Sequence, residues 1–108
     1  MQNLVLEGGQ PYLNFINSLK AQETKRQYST ALGKFLVHYH LTLQCTLTLP
    51  TKDIEQMIIN YITNMNARGL SHGYVNVILS ALLHFFSMND VVLNRRKISK
   101  FMGNEVRK

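Results

Sequence analysis

The sequence contains one cysteine, no tryptophan and only two prolines. A single cysteine, Cys45, excludes an intramolecular disulfide, and this favours a reducing, intracellular compartment. No apolar run is long enough to span a bilayer, and the N-terminus lacks the basic segment of a secretory signal. We therefore expect a cytoplasmic protein with no membrane partner.

Acidic residues are scarce, since six Asp and Glu stand against twelve Lys and Arg in 108 residues, which gives a net charge of +6. Such an excess points to a polyanionic partner, with nucleic acid ahead of an anionic membrane. Most of the excess lies in residues 95–108, and a second basic cluster runs from Lys20 to Lys34. Two local concentrations indicate a binding surface, although a solvated helix face and tail would have the same composition.

Sequence motifs of catalysis and of metal binding are absent. The chain has no P-loop, dinucleotide fingerprint, H-E-x-x-H or EF-hand loop. His38 and His40 lie near Cys45, but a structural zinc site needs four ligands and no second cysteine is available. We therefore predict no enzymatic activity, no metal and no cofactor.

Apolar residues recur with helical spacing along most of the chain. Helices are predicted from Pro11, from about residue 23 to 39, after Pro50, and from Ser71 to about residue 88. A shorter helix is expected to begin at Asn94 and to close at Gly103, with Ile98 and Phe101 as its apolar contacts. The fold class predicted is therefore an all-α, compact bundle of four to five helices. The residues expected in its core are Tyr28, Leu32, Phe35, Ile58, Ile62, Leu79, Leu82 and Phe86.

The expected organisation is a flexible lead-in at residues 1–10, a helical domain at 11–93 and a basic helix or linker at 94–108. Residues 41–49 alternate leucine or cysteine with polar residues, which is the period of a strand. No second strand is available to pair with it, so we predict an extended connection. Thr51, Ser71 and Asn94 are expected to cap their helices.

Four segments carry a resemblance to a known family. They are Thr24-x-x-x-Tyr28-x-x-x-Leu32-x-x-Phe35, then Leu49-Pro50-Thr51-Lys52-Asp53-Ile54, then Arg68-Gly69-Leu70-Ser71, and last Tyr74-Val75-Asn76-x-x-Leu79-Ser80-Ala81-Leu82-x-x-Phe85-Phe86. In order and spacing they resemble the N-terminal core-binding domain (SAM-like) of the tyrosine recombinase, or phage integrase, family. The resemblance covers about residues 11 to 102.

The chain departs from the family at three places. Asn94 is followed by Arg95 where family members usually have proline. Leu83-His84 stands where they often have an arginine before the paired aromatics. The His-x-x-Arg element of the catalytic domain is missing, because no histidine is followed three residues later by arginine.

The resemblance implies a module that binds double-stranded DNA beside a C-terminal catalytic domain and other recombinase protomers. The family's helices matching residues 24–38 and 71–88 approach the major groove. Position by position, this implicates Thr24, Lys25, Arg26, Ser29, Ser71, His72, Tyr74, Asn76 and Ser80 in DNA binding. The two basic clusters add Lys34, Arg95, Arg96 and Lys97. Simple helix capping would explain Thr24 and Ser71 equally well.

Two alternatives stay open. One is a helical protein-interaction module with no role in recombination, whose basic charge would attract an acidic partner. The other is a free-standing DNA-binding regulator, also with no role in recombination. His84, on the polar side of its helix, is either a solvated surface residue or a contact to phosphate or base.

Overall fold

The computed structural model describes residues 4–102, with side chains from residue 9 onward. This range forms six helices and no strand, which confirms the all-α prediction. In chain order they are α1 (Leu4–Asn17), α2 (Gln22–Tyr39), α3 (Leu43–Leu47), α4 (Thr51–Ala67), α5 (His72–Met88) and α6 (Arg95–Ser99). The predicted closure of the last helix at Gly103 and the basic residues Arg107 and Lys108 lie outside the described range.

Helix α5 lies at the centre of the fold, because α1, α2 and α4 all pack against it. Its buried side chains are the apolar stripe that the sequence predicts, including Leu79, Leu82 and Phe86. The expected core of α2 and α4 is also buried, except that Tyr28 is only partly covered. The 3.6-residue period therefore identifies the buried faces correctly.

Helix α1 begins at Leu4, seven residues before the start predicted at Pro11. The expected lead-in is thus partly helical. Gly9 breaks the helix into two pieces, with φ 56° and ψ −138°. Only glycine adopts this conformation without strain, so the kink is specified by the residue itself.

The prediction of an extended connection at residues 41–49 is wrong, because residues 43–47 form α3. Thr42 accepts a hydrogen bond from the Cys45 N–H at 3.1 Å and so caps this helix. Leu43 and Thr46, three residues apart, are the buried pair. The Thr46 hydroxyl donates to the Thr42 carbonyl at 2.7 Å, which allows a polar side chain to be buried there. Cys45 is exposed.

Two of the predicted helix caps are confirmed. Ser71 accepts from the Tyr74 N–H at 3.1 Å, and Asn94 accepts from the Lys97 N–H at 3.0 Å. Thr51 is not a cap, because it lies inside α4 and Pro50 precedes the helix. Nor does Thr24 cap α2, which starts after Ala21.

Buried and half-buried polar contacts fix the chain around α6. The Glu55 carboxylate is buried and accepts the Asn94 N–H at 2.7 Å. The Asn66 amide donates to the Phe101 and Met102 carbonyls at 3.2 and 2.9 Å. These bonds hold α6 along α4, with Ile98 fully buried beneath it. Phe101, expected to pack with Ile98, is instead 44% exposed.

Within the described range, no helix has the length and hydropathy needed to cross a membrane.

Candidate nucleic-acid interface

Helices α2 and α5 carry most of the predicted DNA contacts, and they run in opposite directions where they pack. Near the start of α2, the Tyr28 ring lies 6.1 Å from the ring of His84, late in α5. Further along α2, Lys34 Nζ lies 3.3 Å from the Tyr74 hydroxyl, early in α5. The N-terminus of each helix therefore lies near the C-terminus of the other. The predicted contacts at the two N-termini, such as Thr24 and Ser71, are separated by the length of the pair.

At one end of this pair, basic and aromatic side chains lie together on an open surface. Lys34 donates to the Tyr74 hydroxyl and its ammonium lies 5.8 Å from the centre of that ring. The exposed His38 ring packs on Tyr61, with 5.1 Å between ring centres. Arg68, Tyr39 and Tyr74 are all close enough to influence the ionisation of Tyr61. We call Lys34, His38, Tyr61, Arg68 and Tyr74 the open patch.

Electrostatics within the open patch centre on Tyr61. Burial raises the pKa of its hydroxyl, and the neighbouring phenols of Tyr74 and Tyr39 raise it further. The positive charge of Arg68 acts in the opposite direction. The half-buried Tyr39, whose pKa is also raised by burial, donates its hydroxyl hydrogen to the Met57 carbonyl at 2.9 Å. Tyr61 and Tyr39 thus stay neutral at physiological pH, and they add no negative charge to oppose an anionic ligand.

At the other end of the pair, aromatic residues are covered by α1. The Phe15 ring lies 5.9 Å from the His84 ring and 6.4 Å from the Tyr28 ring. We call Phe15, Tyr28 and His84, together with Ser18, the closed end. His84 is therefore packed rather than solvated.

A hydrogen-bond pair fixes His84 within the closed end. The Ser18 hydroxyl donates its one hydrogen to the Phe15 carbonyl at 2.7 Å, so its oxygen accepts from His84 Nε2–H at 2.6 Å. Burial lowers the pKa of His84, and the nearby charge of Arg95 lowers it further. This histidine is held neutral by its surroundings.

Several predicted contacts are engaged within the protein. The Ser29 hydroxyl shares a 2.7 Å hydrogen bond with the Tyr12 hydroxyl of α1. Arg26 forms an exposed ion pair with Glu23, which lowers the pKa of that carboxylate. Ser71 is occupied as the cap of α5. These bonds support the helix positions and leave the three side chains less available to a ligand.

Other predicted contacts remain accessible to a ligand. Asn76 is exposed and Ser80 is half-exposed on the outer side of α5. Arg95, Arg96 and Lys97 are exposed on α6. Arg95 is brought beside α5, because it lines one cleft with Leu83 and Ser87. Lys25 is half-exposed and His72 is exposed.

The sequence reasoning missed three members of the open patch, namely His38, Tyr61 and Arg68. Tyr61 has the spacing of the buried α4 stripe, and its half-burial follows from where α4 meets α2. The sequence does indicate that His38 belongs to the same surface as Lys34, because the two residues are one turn apart on α2 and so share a face.

No group of three or more His, Cys, Asp or Glu among the described residues is arranged to hold a metal ion. No family model, curated protein sequence or solved structure matches this chain.

Proposed function

We propose that this chain is a duplex-DNA-binding module of a site-specific tyrosine recombinase. It positions DNA for strand exchange by a catalytic domain and takes no catalytic part itself. Its partners are double-stranded DNA, that catalytic domain and further recombinase protomers. The observation that supports DNA binding best is the exposed polar side of α5, together with exposed cations on α2 and α6.

The polar side of α5 consists of Asn76, Ser80 and Ser87, at helical positions i, i+4 and i+11. Lys34 contacts Tyr74 near the start of α5, and Arg95 lies near His84 towards its end. Ten residues separate Tyr74 from His84, about 15 Å along the helix axis, so the two cations can contact different phosphates.

Asn76 is the base-reading residue of this proposal. It is exposed on α5, and an asparagine side chain can pair with adenine through two hydrogen bonds. The cations supply affinity that does not depend on sequence. Among the basic side chains that the structure describes, only Arg26 has a carboxylate partner, so the other cations are available to phosphates.

The test is a fluorescence anisotropy titration with duplex DNA at about 50 and 200 mM salt. An isolated module is expected to bind in the range of about 10⁻⁴–10⁻⁶ M, with a log–log salt slope of roughly −4 to −5 if five phosphates are neutralised. Lys34→Ala and Arg95→Ala should each flatten the slope by about one, whatever the DNA sequence. Lys52→Ala on α4, a basic residue without a predicted DNA contact, is the charge-matched control.

Asn76→Ala separates sequence reading from charge. It should leave the salt slope unchanged and reduce discrimination between binding sites by about 1–3 kcal/mol. Salt-independent binding, or binding that Lys34→Ala and Arg95→Ala leave intact, rejects the DNA proposal. The helical protein-interaction module then takes its place. A covalent protein–DNA adduct on a nicked substrate would contradict the non-catalytic assignment.

A further inference from the structure

The open patch combines exposed aromatic rings with cations. Tyr74 is 41% exposed, although it lies in the first turn of a long helix that is otherwise packed on three neighbours. Lys34 is exposed beside it, and Arg68 is exposed near Tyr61. No described carboxylate hydrogen-bonds to or ion-pairs with these residues, so the local charge is positive.

Rings and cations together select a ligand that has both flat π-faces and negative charge. An acidic peptide would bind Lys34 and Arg68 but would make no use of the exposed Tyr74 and His38 rings. A nucleotide meets both requirements, because its base stacks on an aromatic side chain and its phosphate binds the lysine ammonium. In a duplex, each base face is already covered by its neighbour, so stacking on Tyr74 requires an unpaired base.

We propose that the open patch binds an unpaired nucleotide of single-stranded nucleic acid, with Tyr74 as the stacking surface and Lys34 as the phosphate ligand. The inference rests on the proposed function only in that the ligand is a nucleic acid. It assigns the chain a second substrate class, bound at one end of the α2–α5 pair. His38, one helical turn from Lys34, offers a second ring for the adjoining base.

The absence of tryptophan makes a direct experiment possible. Tyr74→Trp keeps a stacking ring and introduces the chain's one indole fluorophore. Titration with an oligodeoxythymidylate of about 12 nucleotides, a length within the site sizes of small single-strand-binding domains, should quench this fluorescence. A blunt duplex of equal length should quench it much less. Val92→Trp, at a site 85% exposed between α5 and α6, is the matched control and should not be quenched.

Affinity gives the second measurement. Tyr74→Leu should weaken binding of the single strand by about 5- to 150-fold, the effect of losing one stacked base. The same variant should weaken duplex affinity much less than single-strand affinity, since phosphate contacts carry most of the duplex binding. Circular dichroism of each variant confirms that the helices are retained. Lys34→Ala should weaken binding of both ligands.

The outcomes are separable. If duplex DNA is bound and the single strand is not, or if Tyr74→Leu leaves single-strand affinity unchanged, the inference about the open patch fails while the proposed function stands. If single strands are bound with the expected quenching but duplex DNA is not, the proposed function fails alone. Equal affinity for polyglutamate would show that charge is sufficient and would overturn the stacking role.

Discussion

The two ends of the α2–α5 pair contain the same kinds of residue and differ in what covers them. At the closed end, α1 lies over the Phe15, Tyr28 and His84 rings, and Ser18 fixes the histidine. At the open patch, the described chain places no helix over Tyr74 and His38, and both remain exposed. An aromatic–histidine cluster thus stabilises the fold at one end and is left exposed at the other. The covering helix, rather than the residue types, makes the difference.

Phe15→Ala tests whether α1 holds the closed end, and it should have the largest effect. The Phe15 side chain is fully buried and touches the Tyr12, Tyr28, His84 and Phe85 rings. Removing it should lower the free energy of unfolding by about 3–5 kcal/mol, measured by urea denaturation. Phe101→Ala, at an exposed phenylalanine, should cost less than about 0.5 kcal/mol. Equal losses in the two variants would contradict the comparison.

Asn89→Ala tests the polar tie between α1 and α5 beyond the closed end. The Asn89 amide donates to the Pro11 and Phe85 carbonyls at 3.1 and 3.0 Å, and its oxygen accepts from Asn14. Its loss should cost about 1–3 kcal/mol, because half-buried carbonyls lose their donor. In the same denaturation experiment, Asn76→Ala on the exposed side of α5 should be close to neutral. A neutral Asn89→Ala would show that packing alone holds α1.

Ser71→Ala tests the open end. The serine caps the first turn of α5, which carries Tyr74, and losing it should cost about 1 kcal/mol. For a domain of this size that loss corresponds to a fall in Tm of about 4–8 °C, measurable by circular dichroism. Ser71→Asp keeps the cap and should retain the Tm. If the two variants melt alike, the cap does not stabilise the open end.

His84→Gln tests whether the closed end responds to pH, with the smallest expected effect. Burial and Arg95 lower the pKa of His84 below its ordinary value of 6.5 in the folded chain. As pH falls through 6.5, the unfolded chain therefore binds a proton that the folded chain does not, and stability decreases. The wild-type chain should lose stability between about pH 7 and 5, whereas His84→Gln should lose less of it. Parallel curves for the two proteins would contradict this.

The sequence predicts the long helices because their buried faces repeat with the helical period over several turns. Leu79, Leu82 and Phe86 in α5 show this most clearly. The sequence pattern does not predict the helix at residues 43–47, because five residues contain too few turns for a helical period to appear. The alternation of leucines mimics a strand, whereas the Thr42 cap and the Leu43–Thr46 pair decide for a helix. A local hydrogen bond overrides the pattern there.

The candidate site is less predictable than the fold, because it depends on which helices meet. Lys34 and Tyr74 are forty residues apart, and nothing in either segment indicates that they touch. The helical spacing of α5 alone predicts that His84 lies on a polar face, yet α1 packs over it. Such contacts follow from helix direction and crossing, which a single amphipathic stripe does not encode.

The opposite directions of α2 and α5 have a consequence for any anion bound at the open patch. Each helix carries roughly half a positive charge at its N-terminus and half a negative charge at its C-terminus. The start of α5 lies near the end of α2, so these partial charges largely cancel. An anion there is attracted by the Lys34 and Arg68 side chains rather than by the backbone. The slope of affinity against ionic strength at that end therefore reports the number of side-chain cations that contact the anion.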